Sequence, residues 1–335
     1  MVMGMTLVLS VGSAFTAPRA SAEDSLPIKI GYQAIADWLL FVARDLKLFE
    51  KAGLAPSYVK FVAGAPMIEA TRNGSIDVAS LGSVPFLIGR SQGVDWVMIG
   101  INPEGAYTEG LVARKDSGIN TAADLRGKRI GFFKGSTAHY GVMTTLRQYG
   151  IRRDQVTLVH LTPAEQLAAL ARKEIDAAMV WEPWMQRMIH EAEGRIVVTE
   201  GDIGIYTNVD GYAVRRDWLQ GNRETAVRFL RALLVANDVV EKDPRVAIRA
   251  LVQEMQIREA WAEAIYGDAP PPRISEWANP RYAYSLVKAS PLNRRLGYLE
   301  QFLFDEKLIS NRVDFGDALD ASVITEALKT WKRDQ

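Results

Sequence analysis

The sequence predicts an α/β protein of two lobes, each a mixed, mainly parallel sheet flanked by helices, with a ligand cleft between them. Three observations carry that prediction. From residue 27 apolar strand runs alternate with helical patterns, and the alternation starts afresh after Glu104-Gly105-Ala106. Strands separated by helices of this length form βαβ units and parallel sheets. The piece ATRNGSIDVASLG (70–82) is echoed by ALARKEIDAAMVW (169–181): a helix end, a turn, Ile-Asp and a buried strand. From Arg215 onward the pattern is mostly helical, as expected of helices that pack back onto the first lobe.

In chain order, the first lobe reads as strands at Ile28–Tyr32, Tyr58–Val62, Val78–Leu81 and Trp96–Ile101, short apolar runs closed by Gly, Asn or Pro. Helical periods fall between them at Trp38–Lys51, Pro66–Arg72 and Pro85–Gln92. The second lobe reads as strands at Leu111–Arg114, Arg129–Phe133, Val156–Leu161, Ala178–Trp181 and Ile196–Thr199. Its helices are His139–Tyr149, Ala164–Lys173 and Pro183–Ala192. The C-terminal helices are Glu224–Val240, Pro244–Gln256, Trp261–Tyr266, Leu292–Leu308 and Ala321–Trp331, broken by a Pro-rich loop at 268–272. The lobes are therefore expected at 23–108 with 213–335, and at 109–212, joined by hinge crossovers near 103–110 and 205–213.

Composition excludes several function classes. Met3 to Phe15 forms an apolar h-region and Ala20-Ser21-Ala22 fits a small-residue cleavage site, so residues 1–22 read as a signal peptide cleaved after about Ala22. No later stretch approaches 18 apolar residues, and the mature chain is expected in the periplasm as a soluble monomer. Forty basic residues against 40 acidic ones argue against nucleic acid and against a basic membrane surface. The chain contains no cysteine, which removes disulfides, a lipid-anchoring Cys, thiol nucleophiles and zinc–thiolate sites. The three histidines, His139, His160 and His190, lack paired spacing, so neither a metal nor a cofactor is expected.

Two motifs resemble catalytic ones and fail on context. Gly89-Arg90-Ser91-Gln92-Gly93 matches G-x-S-x-G, but here a helix precedes it and a strand follows, the reverse of a nucleophile elbow. Lys134-Gly135-Ser136 scrambles the end of a P-loop. No catalytic residues are expected.

The informative segment is DLRGKRIGFFKGSTAHYGVMTTLRQYG (124–150): a strand, a turn at Gly135-Ser136-Thr137, and a helix from about Ala138. Its N–H groups and dipole make a ready anion site, although a Ser or Thr there equally serves as an ordinary cap. Asp37, Glu109, Glu182 and Asp210 fall near strand ends without catalytic spacing. Each reads as a solvated loop carboxylate or as a partner for a cation. Trp38, Trp181 and Trp184 lie near the same ends, where the alternative reading is core packing.

These residues together resemble periplasmic substrate-binding proteins of ABC importers, in the branch that carries nitrate, alkanesulfonates, taurine and thiamine-pyrimidine precursors. The likeness covers nearly all of the mature chain. It is carried by Gly110–Ile119, Asp124–Ile130, Gly135–Tyr140 and Ile175-Asp176-Ala177 running to Val180-Trp181-Glu182-Pro183. Within that branch the chain is most similar to taurine-binding proteins, through Tyr32-Gln33, Leu81–Pro85, Glu109, Ser136–Tyr140 and Asp210.

The resemblance implies a type II periplasmic-binding-protein fold that delivers its ligand to a permease and its ATPase subunits. It implies that Ser136, Thr137 and the Ala138 amide hold a sulfonate, with Gln33 and Ser83 reaching it from the other lobe. Trp181 would cover the methylenes, and Glu109 and Asp210 would take an ammonium. Asp37, Trp38, Gly82, His139 and Glu182 are further candidate contacts. Glu182 stands where a small residue is expected and would add a carboxylate to the cleft. Simple alkanesulfonates, nitrate or a cationic or pyrimidine-type nitrogen compound are the alternative ligands. An enzyme on the same scaffold is the alternative class; such relatives depend on cysteines that this sequence lacks.

Overall fold

A computed structural model describes residues 25–102, 107–204, 209–313 and 317–331. The expected signal peptide lies outside these residues, as do 103–106 and 205–208 within the expected hinge crossovers. The first sheet holds β1 (Leu26–Gln33), β2 (Leu54–Phe61), β3 (Val78–Gly82), β4 (Trp96–Ile101) and β10 (Asp210–Arg215), in the order β2-β1-β3-β10-β4. The second holds β5 (Glu109–Arg114), β6 (Arg129–Phe132), β7 (Thr157–His160), β8 (Ala177–Trp181) and β9 (Gly194–Thr199), in the order β7-β6-β8-β5-β9.

The two sheets share one wiring. β1 and β6 are parallel to both of their neighbours. β10 and β5, each the first strand after the chain has crossed from the other sheet, run antiparallel to theirs. The sequence reading did not include β10. Its run DGYAVR starts on an acid inside a presumed crossover, and residues 210–212, placed with the second lobe, pair in the first sheet.

The Ile-Asp echo has a matching geometry. The Asp77 amide donates to the Lys29 carbonyl at 2.8 Å, and its carboxylate accepts from the Lys29 amide at 2.8 Å. Asp176 does the same with Arg129, at 2.8 and 2.9 Å. Ile76 and Ile175 lie over glycines of the neighbouring strand. A Cβ on Gly31 would come within 2.6 Å of Ile76 Cδ1, and one on Gly131 within 2.8 Å of Ile175 Cδ1. Repetition in sequence is here repetition of a strand-locking contact.

Helices cover both sheets. In the first lobe they are α1 (Trp38–Asp45), α2 (Leu48–Lys51), α3 (Met67–Arg72) and α4 (Ser83–Ser91). In the second lobe they are α5 (Thr137–Gln148), α6 (Pro163–Ala171) and α7 (Trp184–Glu191). The single helix expected over 38–51 divides because Lys47 takes a left-handed conformation, φ 53°. After β10 come α8 (Arg216–Gly221), α9 (Arg223–Lys242), α10 (Arg245–Met255), α11 (Glu259–Asp268), α12 (Pro291–Asp305) and α13 (Ser322–Thr330). The long α9 packs against α1, α2 and α13 and carries Phe229, Leu230 and Leu233 into the first core. Gly89 of the G-x-S-x-G stretch lies under the Trp96 indole, and Ser91 Oγ donates to the Ile88 carbonyl at 2.7 Å. That motif belongs to helix packing.

Both crossover strands begin with an acid followed by glycine, Glu109-Gly110 and Asp210-Gly211, and each has a register shift against its outer neighbour. A Cβ on Gly110 would lie 2.7 Å from the Val198 carbonyl oxygen, and one on Gly211 would lie 2.6 Å from that of Gly100. Backbone cannot step aside as a side-chain tip can. Gly110→Ala and Gly211→Ala should each cost about 1–3 kcal/mol, read as a lower urea midpoint. Gly221→Ala, with nothing within 4 Å of the new carbon, should stay within about 0.5 kcal/mol.

Candidate ligand-binding cleft

Ligands of open α/β sheets sit at the carboxyl ends of parallel strands. The antiparallel β5 and β10 start where their neighbours end, so their first residues face the same place. Glu109 pairs with Trp181 at the end of β8, and Asp210 pairs with Gly82 at the end of β3. These four residues line one cavity together with Gln33 from β1 and Ser136 and Thr137 at the start of α5. Its volume is about 40 Å³. A single water needs roughly 10–15 Å³, so the chamber holds a compact group of a few heavy atoms.

One pole is the start of α5. Gly135 turns the chain with φ +77°, a conformation that favours glycine. Ser136 takes the extended N-cap conformation, yet its side chain does not cap the helix: Oγ donates to the Phe133 carbonyl at 2.7 Å. The first-turn amides are thus left without a side-chain acceptor, and the helix dipole adds partial positive charge. Ala138 is fully buried and outside the lining, so it can offer only its amide.

The wall next to this helix start is acidic. Glu109 is 7% exposed and accepts a hydrogen bond from the Thr137 hydroxyl. Asp210 Oδ1 and the Thr137 methyl would each lie 3.0 Å from a Cβ on Gly82, so only glycine lets these two groups approach there. Burial pushes the Asp210 carboxyl up to about 7, with the nearby Asp37 charge adding to the effect. Burial also raises Glu109, against the lowering effect of the Thr137 hydrogen bond, and the Asp210 charge raises it further. A third carboxylate, Glu200, was not expected from the sequence. It is 1% exposed, lines the cavity, and packs in the space left by Gly141 of α5, where a Cβ would lie 2.5 Å from its Oε1. An acid one residue past the end of β9 was its only sequence signal. Among the described residues no lysine, arginine or histidine lines the cavity.

Other candidates lie elsewhere. Asp37 is fully buried beneath the site, where it caps α1 and accepts from Ser80 Oγ at 2.6 Å and Tyr212 OH at 2.5 Å. Burial raises it to about 6. Trp38 is core, its indole donating to the Ala269 carbonyl at 2.7 Å. Ser83 opens α4 fully buried, and its Oγ accepts from the Val209 amide at 3.4 Å. His139 packs at a tilt against Phe132 and accepts from the Gly135 amide at 3.4 Å, supporting the turn from behind. Burial, aided by the Lys134 charge, lowers it to about 4, which keeps it neutral. Glu182, expected as an extra carboxylate in the cleft, instead accepts from the Gln186 amide and side chain, both at 3.2 Å, at the start of α7. Its carboxylate is used locally, and it does not line the cavity.

The model of the NMT1-like family matches residues 21–255. The chain belongs to the NMT1-like family. It is 27% identical over 315 residues to a protein of Escherichia coli (strain K12) named as an aliphatic sulfonates-binding protein, covering 92% of each chain. It is 28% identical over 238 residues to the taurine-binding periplasmic protein of the same strain, covering 70% of this chain and 72% of that one. The solved alkanesulfonate-binding protein SsuA of Xanthomonas axonopodis pv. citri, bound to MOPS, superposes with a TM-score of 0.74 at 25% identity, covering 91% and 98%. The fold is that of the periplasmic binding proteins, and the chain falls in their nitrate, sulfonate and taurine branch.

The raised carboxyls set a pH dependence. A carboxyl whose folded pKa lies above its unfolded value binds more protons in the native state, so stability falls as pH rises through that interval. Asp210 and Glu182, both near 7, and Asp37, near 6, all act in this direction. The ligand-free protein should therefore melt at a higher temperature at pH 5.5 than at pH 8. Asp210→Asn should reduce that difference, both readings taken by scanning calorimetry.

Proposed function

We propose that this protein is the extracytoplasmic solute-binding component of an ABC importer, and that it binds taurine or a related small aminosulfonate and hands it to the permease. One observation carries the ligand reading: an uncapped helix start opens on a small cavity lined by the shielded carboxylates Glu109, Glu200 and Asp210 and, among the described residues, by no basic side chain. A sulfonate accepts hydrogen bonds only and suits the α5 amides. An ammonium supplies three donors and suits Glu109 and Asp210. Charge-assisted bonds of this kind are about twice as strong as neutral ones. Trp181, 9% exposed and in the cavity lining, would then cover the methylenes.

In this proposal the lobes, 23–108 with 213–335 and 109–212, close by rotation about the two crossovers, where a few residues absorb the change. The relatives named above are binding proteins rather than enzymes, and no described helix is long and apolar enough to cross a membrane. A simple alkanesulfonate is the second reading. One observation favours it: carboxyls pushed toward 7 and above carry protons in mildly acid solution and then donate to an anion.

Calorimetry against taurine, ethanesulfonate, nitrate and simple amines separates these readings. Taurine should bind with a micromolar dissociation constant, about −8 kcal/mol. Asp210→Asn should weaken taurine by roughly 10- to 100-fold and leave ethanesulfonate unchanged or tighter. Equal losses for the two ligands would contradict the role of Asp210. Heat with a simple amine and none with any sulfonate would overturn the ligand class.

A further inference from the structure

The β3–β10 ladder continues beneath the cavity. Asp210 pairs with Gly82 at its end, and two residues further along Tyr212 pairs with Ser80. Alternate residues of a strand share one face about 7 Å apart, so both pairs point the same way. Asp37 bridges the second pair: Oδ1 accepts from Tyr212 OH at 2.5 Å and Oδ2 from Ser80 Oγ at 2.6 Å. The Leu40 amide of α1 is a third donor, 3.3 Å from Oδ1. At the first pair, Asp210 Oδ1 occupies the space beside Gly82. Two carboxylates therefore stand over neighbouring same-face positions of β3. One lines the cavity, and the other is fully buried one step behind it.

The groups around this pair come from several elements. Burial raises the Asp37 carboxyl to about 6, while the Ser80 and Tyr212 hydroxyls, the Leu40 amide and the Arg44 charge favour its ionised form. Burial and the Asp37 charge hold the Tyr212 phenol well above its ordinary value, so it stays a donor. Arg44 of α1 is itself bound to Glu254 and Asp45. On the cavity side, the Asp210 charge acts on Glu109 of β5, and Glu200 lines the same space past the end of β9. Burial first, and then the Asp37 charge, push Asp210 up to about 7.

We propose that Asp37, which lines no part of the cavity, is a positioning residue for the ligand's cationic head and acts through Asp210. With a negative charge held one step behind it, Asp210 keeps a proton while the cleft is empty and releases it to solvent when an ammonium arrives. The exchange balances: a neutral carboxyl and a cation become a carboxylate–ammonium pair and one free proton. Asp37 thereby sets the pH at which a cationic head binds at full strength. This inference rests on the ligand reading proposed above for the ammonium, and on the ladder geometry for the coupling between the two acids.

The test has two arms. The first is calorimetry of taurine and ethanesulfonate from pH 5.5 to pH 8. Wild-type affinity for taurine should climb roughly 30-fold over that range as Asp210 ionises at about 7. Asp37→Asn and Asp37→Ser, both neutral and both able to cap α1, should shrink the climb by roughly threefold or more without weakening ethanesulfonate. Ser80→Ala removes one hydrogen bond but keeps the charge, so its climb should match the wild type within about twofold. No climb in the wild type, an undiminished climb in the neutral variants, or equal losses of both ligands would overturn the proposal. The second arm is carboxyl carbon-13 NMR of the ligand-free protein, with the Asp210 signal assigned by its loss in Asp210→Asn. Its titration midpoint should fall in Asp37→Asn, and an unmoved midpoint would overturn the coupling. If no aminosulfonate binds, the ligand reading fails and the second arm alone decides: a lowered midpoint then upholds the action of Asp37 on Asp210.

Discussion

A strand that crosses into a neighbouring sheet from the cleft side must enter it antiparallel, and its first residue then stands at the carboxyl ends of the strands on either side. In this protein that happens twice, and both times the entering residue is an acid followed by a glycine. Glu109-Gly110 lies against Trp181, and Asp210-Gly211 lies against Gly82. The glycines accept carbonyl oxygens where a side chain would collide. The acids are left in the seam, stripped of water and facing one small space. Desolvation raises their proton affinity, because low-dielectric surroundings disfavour the charged form. The remaining features of the site answer this constraint.

The answer comes from the second lobe. Its helix α5 begins with no side-chain cap, presenting amide donors and a positive dipole end toward the same space, and Thr137 binds Glu109 directly. A ligand that brings a cation to the acids and an anion to the amides satisfies both desolvated poles at once, whereas a simple anion or cation satisfies one and leaves the other costly. On the proposed reading, the charge separation of the ligand counts for more than its shape.

Much of this was legible in the sequence because it is periodic. The alternating strands, the two Ile-Asp locks and the GST helix start all write themselves as local patterns, and the structure places Gln33, Gly82, Glu109, Ser136, Thr137, Trp181 and Asp210 around one cavity. What failed was the side on which a strand-end residue lies. Asp37 and Trp38 follow β1 just as Gln33 ends it, yet the chain has already turned inward, so one caps a helix and the other fills the core. Glu182 follows Trp181 but is drawn back onto α7 by Gln186. Glu200 was missed for the converse reason: only the sheet order shows that the end of β9 reaches the site. Sequence spacing marks the rim of the cleft, and backbone direction decides what faces it.

The central claim is that the cavity seats a cation against carboxyls that are partly protonated when free. Its most direct test is the proton balance of binding, from calorimetry of taurine at pH 7 in two buffers of different ionisation heat. An arriving ammonium favours the ionised carboxylates, so the account predicts net release of protons to the buffer. Net uptake would mean that the site meets the ligand as an anion, and would contradict it.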